Sequence, residues 1–331
     1  QDLETLLQLV NLYYTAPRSD KDVFERTAGH LKSQIKLVAD NPRIAFADTY
    51  QHTVYPEDKR AIVIPSDEQV ASLDADHAMQ IFRQRFHDAS DQIFFFVGNV
   101  SDSDIDHISR YLNHLPTDGS QKGETYVDRT PKFVKGIVHG EVAKGIERQG
   151  LLTIYGETAA QIEDLTPETR VALTVLSNAL QITLLEEVRE KNGDAYSPTV
   201  SLQSHRMPSA QVFWEYNIGC DPEKIAKVEK DCIDILKRYR KNGPDEQTLA
   251  KAKEQVIVSI GTAVQSNQFW LSGIKSSYTF NENTDYLTHY EDLVRSISAK
   301  QLKKIAQKYI NLKNYVAVSL RPEDGAVGTA D

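Results

Sequence analysis

Cysteine is scarce. The only thiols among 331 residues are Cys220 and Cys232, twelve positions apart and outside any C-x-x-C pattern, so there is neither a zinc knuckle nor a disulfide framework to read. The nine histidines form neither H-E-x-x-H nor H-x-x-E-H, the helical spacings that place two imidazoles on one face around a catalytic metal. No metal ligand is therefore expected in this chain. A G-x-S-x-G nucleophile elbow and a phosphate-cradling glycine loop are both missing, which removes the usual signatures of serine hydrolases and nucleotide binders. Positive charge is outnumbered, 38 Lys and Arg against 47 Asp and Glu, for a net charge of −9. Nucleic acid, which requires basic surface, is excluded as a partner. No apolar run approaches the roughly 18 residues of a membrane span, and the longest candidate, IFFFVGNV, suits a core strand. The acidic run DSDID (102–106) lacks the glycine and the twelfth-position glutamate of a calcium loop, and reads as a helix start enriched in acids.

What is present is internal repetition. The run LLQLVNLYYTAP closes at Pro17 and CIDILKRYRKNGP at Pro244, an offset of 227. Gln34-Ile35 matches Gln255-Val256 at 221, and AMQIFRQRF, ending at Phe86, matches QLKKIAQKY, ending at Tyr309, at 223. A strand-like run follows each, at 93–98 and 315–320. Near-constant offsets point to a duplicated domain. About a hundred residues (131–230) precede the second copy's matching part and have no counterpart in the first, so the first domain reads as N-terminally truncated. The expected domains are 1–120, the C-terminal part of one α+β unit, and 131–325, a complete one. The polar stretch TDGSQKGETYVDRT (117–130) is the natural linker.

Periodicity and caps predict helices up to Pro17, from Asp20 to about Ala39, over 73–86 and from Ser101 to about Asn113. In the second half, strands are predicted at 133–139 and 149–157, and a long helix runs from its Thr166 cap to about Asn192. A hairpin follows through Met207-Pro208-Ser209, with Val212, Trp214, Tyr216 and Ile218 on one face. Helices at about 222–241, 245–265, 284–295 and 298–310 precede the strand 315–320. This order predicts an α+β fold, a mainly antiparallel sheet with helices layered on it.

The segment with chemical promise is LLEEVREKNGDAYSP (184–198). It carries Arg189 near the end of the long helix, Gly193 at the turn and Tyr196 entering a strand. A guanidinium and a phenol are strong donors that could grip a peptide carbonyl or a developing oxyanion. The plainer alternative pairs Arg189 with Glu186 or Glu190 and makes Tyr196 a half-buried strand residue.

This segment resembles the L-x-x-x-L-R-E-K-x-G-x-A-Y-S motif of the insulinase/pitrilysin-type zinc peptidases, a family that includes mitochondrial processing peptidase. FFFVGNVSDSDIDHISRYLNHLP also resembles the strand, V-G-[ND]-V, helix and L-P that close a domain in that family. The resemblance implies four similar α+β domains forming two bowl-shaped halves around a closed chamber. Zinc sits in the N-terminal half on H-x-x-E-H, and this chain, the C-terminal half, supplies Arg189 and Tyr196 as donors to peptide substrate and oxyanion. It further implies a zinc metalloendopeptidase whose C-terminal half is inactive alone, partnered by the zinc-bearing half, in a bacterial cell envelope or periplasm. The alternative is a non-catalytic peptide-binding or assembly partner of the same fold. Two departures stand out: LSNALQIT (176–183) replaces a glycine-rich stretch, and Asn192 and Asp194 stand where Arg and Leu are frequent. The strand 211–219, or 149–157, is expected to offer an edge to an extended peptide.

Overall fold

The structure, a computed structural model, describes residues 2–38, 40–119, 125–191 and 193–323. Its compact packing draws two units from non-contiguous segments. One comprises residues 1–36, 65–127 and 264–282, and the other 37–64, 128–263 and 283–331.

The first unit is helical. It contains α1 (Asp2–Thr15), most of α2 (Lys21–Val38), α4 (Asp67–Ala71), α5 (Ala75–Phe86), α6 (Asp102–Leu112) and α10 (Asn267–Thr279). Its starts are set by side-chain caps. Ser66 and Ser101 form reciprocal capping boxes with Gln69 and Asp104, and Asp74 accepts from His77 N, satisfying amides that a helix leaves unpaired. The DSDID acids are thus the first turn of α6. Tyr14 meets Phe86 edge-on at 5.4 Å, Phe82 stacks on Phe86 at 4.5 Å, and Phe95 meets Tyr278 of α10 at 5.6 Å. The expected strand at 93–98 does not form a ladder, because this unit brings no second strand beside it among the described residues.

The second unit is built on β1 (Ile137–Ala143), β2 (Gly150–Ala159), β3 (Ala195–His205), β4 (Gln211–Cys220) and β5 (Tyr315–Arg321), in the order β1-β5-β2-β4-β3. Only β1 and β5 are parallel; the other pairs are antiparallel. The mainly antiparallel α+β architecture read from the sequence is therefore observed. The first strand begins four residues later than expected, because Gly136 takes φ +87 and donates to Asn314 Oδ1 at 2.5 Å, leaving Phe133 and Val134 to pack on the sheet.

One sheet face holds the main core. α7 (Pro167–Leu184), α8 (Ile225–Asn242), α9 (Glu246–Ala263), α12 (Tyr290–Ser296) and α13 (Ala299–Tyr309) bury their apolar stripes there, with α11 (Asp285–Thr288) leading into α12. Val212, Trp214, Tyr216 and Ile218 of β4 all point into it, as their alternation required. The segment Pro167–Glu190 is long and apolar enough to cross a membrane by length and composition alone. In this fold ten α7 side chains are buried in the core instead, and Cys220 and Cys232 are free and buried there too.

The opposite face is covered by α3 (Pro42–Val54), whose Phe46, Tyr50 and Val54 pack with Tyr155, Val316 and Val318. Asn41-Pro42, just past the end of α2, is a helix start: Asn41 accepts from Arg43 N, and proline occupies the first turn. The Glu157 carboxylate, buried on this face, is satisfied by three donors: Tyr55 (2.7 Å), Tyr155 (3.0 Å) and Gln211 (2.9 Å). Tyr50 donates to Glu215 at 2.8 Å. Burial raises the Tyr50 and Tyr55 phenols well above their ordinary range, which keeps both as donors.

The closest approach in this core is at Gly156, where a methyl group would lie 2.4 Å from the Trp214 ring. Gly156→Ala should therefore destabilise the chain by about 1–3 kcal/mol through overpacking. Urea unfolding followed by Trp fluorescence should show the lower midpoint.

Candidate functional site

The site grows from the end of α7. After Leu184 the helix widens into a π-helical turn, Leu185–Lys191, a feature often found where a chain must present function. Val188 stays in the core, while the acids on the turn are tethered outward. Glu186 accepts from Lys251 of α9 at 2.9 Å, and Glu187 from Arg238 of α8 at 2.8 Å. Exposed pairs of this kind are worth at most about 1 kcal/mol each; their consequence here is directional. With Glu186 occupied, Arg189 is exposed and makes no side-chain hydrogen bond or ion pair with any described residue.

The chain then turns. Gly193 takes φ +61, a conformation other residues enter at a cost. Gly193 N donates to Arg189 O at 3.0 Å, and Asp194 N to Val188 O at 3.2 Å. This closure is one residue wider than the common glycine stop, in step with the widened turn. The Asp194 side chain is only 3% exposed, with Lys224 on one oxygen at 2.9 Å and Lys227 on the other.

Tyr196 is the second residue of β3 and stands opposite Gly219, and the ladder resumes with Thr199 opposite Asn217. Two residues, Ser197 and Pro198, thus stand against Ile218 alone, with Ser197 at φ +45. A bulge of this kind re-aims the neighbouring side chain. Tyr196 is 60% exposed rather than half-buried, and its hydroxyl makes no hydrogen bond with a described residue. A Cβ on Gly219 would come within 3.4 Å of Tyr196 O and 3.5 Å of the Gln149 amide. Gln149 in turn lines a cavity of about 440 Å³ with Leu151 and Leu320.

Both residues singled out in the sequence therefore lie on the surface, seven positions apart along the chain, with no hydrogen bond or ring contact between their side chains. Asn192 lies outside the described residues. The edge expected at 149–157 or 211–219 is corrected: β2 sits between β5 and β4, and β4 between β2 and β3, so both ladders are filled on both sides. The outer side of β3 is also closed by α7. Gln181 accepts from Val200 N at 2.8 Å and donates to Pro198 O at 3.0 Å, and Ser177 accepts from Leu202 N at 3.1 Å. Sequence reasoning missed the π-turn, the bulge and the Asp194 anchor; its one usable signal was the departure at position 194.

The profile of the peptidase M16 inactive domain matches residues 73–256, more than half of the chain. The chain belongs to that family. It is 24% identical over 262 residues to an uncharacterized zinc protease of Streptomyces coelicolor, covering 77% of this chain and 55% of that protein. To the probable zinc protease PqqL of Haemophilus influenzae it is 24% identical over 319 residues, covering 93% and 32%. Its fold matches the crystal structure of the periplasmic protease PqqL from Escherichia coli with a TM-score of 0.79 at 20% identity, covering 97% of this chain and 35% of that one. The chain thus spans between about a third and about half of the length of these relatives. Among the described residues no group of three His, Cys, Asp or Glu could hold a metal, so the zinc in the relatives' names does not fit a site built from these residues.

Hydrogen bonds from Lys227 and then Lys224 hold the Asp194 carboxyl below its ordinary range. A carboxyl whose pKa is lower folded than unfolded stabilises above its unfolded value, about 3.9, and loses that contribution as pH falls through the folded one. The urea midpoint of Asp194→Asn should therefore lie below wild type at pH 7, and the gap should narrow steadily below about pH 4.

Proposed function

We propose that this chain is the metal-free half of a zinc-dependent peptidase, and that it supplies donors to the peptide being cut. Arg189 and Tyr196 carry this reading. One is a guanidinium and the other a phenol, both are exposed, neither makes a side-chain hydrogen bond or ion pair with a described residue, and each leaves a backbone irregularity anchored to the core. The guanidinium presents planar donors to a substrate carbonyl, and the phenol a single donor to the oxygen that gains charge when that carbonyl is attacked. Neither residue moves a proton in this scheme; both bind and stabilise. Zinc belongs to the other half, and no step assigned to this chain runs through it. The sequence copies at 1–120 and 131–325 are two domains of one plan in this reading, and the whole protein closes around unfolded peptide. A periplasmic location is part of this reading, supported by the likeness to the periplasmic protease PqqL of Escherichia coli.

A second reading, a peptide-holding partner without catalysis, is favoured by the absence of a three-ligand cluster among the described residues and by the family's description as an inactive domain. The two separate on one assay. In the full-length protein, Arg189→Lys and Tyr196→Phe should each lower peptide turnover roughly 10²–10³-fold if each donor serves the transition state. Unchanged turnover in both variants contradicts the assignment, and a parent without chelator-sensitive peptidase activity selects the second reading. This chain by itself should not cleave peptides.

A further inference from the structure

The stretch of chain that carries Arg189 and Tyr196 needs something to hold its shape. Its backbone leaves regular helix at Leu185, enters the left-handed region at Gly193 and again at Ser197, and joins β3 only through Ala195 and Tyr196 before the bulge. Left-handed and bulged backbone persists where surrounding contacts over-determine it. Asp194 makes those contacts. Its amide donates to Val188 O, one residue before Arg189. Its carboxylate is buried between Lys224, on the single turn Pro222–Lys224, and Lys227, in the first turn of α8. A buried carboxylate bound by two ammonium groups is costly to break from one side, because the surviving charge is left uncompensated.

We infer that Asp194, clamped by Lys224 and Lys227, is a positioning residue that locks the π-turn to the start of α8 and thereby fixes the direction of Tyr196. This deepens the proposed function, on which its relevance to peptide binding rests, but the clamp itself concerns only this chain. Aspartate side chains are rarely so deeply buried unless paired. The lysines cannot be exchanged for apolar residues without stranding the carboxylate, so the three side chains act as one unit.

The test places a single 3-fluorotyrosine at position 196 of this chain, and in a separate sample at the buried Tyr216, and reads ¹⁹F spectra. Wild type should give one narrow resonance at each position. In Asp194→Asn, which keeps the shape but removes the charge, the 196 resonance should broaden at least twofold or split, while the 216 resonance stays put. Lys224→Gln/Lys227→Gln should reproduce that pattern, and it stands as the primary reading if Asp194→Asn does not fold. An unchanged 196 resonance overturns the inference. So does a change at 196 and 216 together, which would make Asp194 a general support of the fold. The functional reading is tested separately, since Tyr196→Phe reports on turnover without disturbing the clamp. If turnover depends on Tyr196, Asp194→Asn should lower kcat by at least tenfold with KM changed less than threefold. A loss confined to KM would count against positioning.

Discussion

The burial of α7 against the sheet constrains most of what matters in the second unit. Ten of its eighteen residues are buried, and two of its polar side chains, Ser177 and Gln181, supply hydrogen bonds to the outer side of β3 that another strand would otherwise supply. One helix thus fills the core and closes an edge that would invite pairing with another chain. Because the helix is fixed along its length, the π-turn at its end is fixed in origin as well, and Arg189 departs from a rigid base. The apolarity that makes Pro167–Glu190 long enough to resemble a membrane span is used up in this packing.

Charge then decides which groups remain available. Lys251 and Arg238 occupy Glu186 and Glu187, and Lys224 and Lys227 occupy Asp194. These pairs come from three different elements and converge on a few residues of chain. Individually the exposed ones add little stability, but together they leave Arg189 without an acidic partner among the described residues. On the opposite sheet face the donors run the other way. Tyrosines from α3 and β2 satisfy Glu157 and Glu215, so those carboxylates are structural and do not compete for the guanidinium.

Much of this was legible in the sequence, and what escaped did so for identifiable reasons. The 3.6-residue pattern and the Thr166-Pro167 start located α7, and strict alternation from Val212 to Ile218 located β4 and its buried face. The cap at Asn41-Pro42 was visible but ambiguous, since the same pair ends one helix and begins the next. α10 was overlooked, although Ser266 caps it. A seven-residue π-turn is too short to shift the hydrophobic period measurably, and a bulge shows only when the opposing strand is known. Strand order was also hidden. The hairpin β3–β4 could be read, but nothing in the local pattern says that β5 inserts between β1 and β2, which places β2 and β4 in the interior. Arg189, Gly193 and Tyr196 stood out through the peptidase motif that their segment resembles, whereas the significance of Asp194 depends on its burial.

The central claim is that the exposed guanidinium and phenol are held ready for a peptide. A crystal structure of the full-length protein with a bound, uncleaved peptide tests it most directly. The account predicts Arg189 and Tyr196 donating to peptide carbonyl oxygens at about 3 Å. A peptide held elsewhere, with both side chains in bulk water or turned into packing, would contradict it.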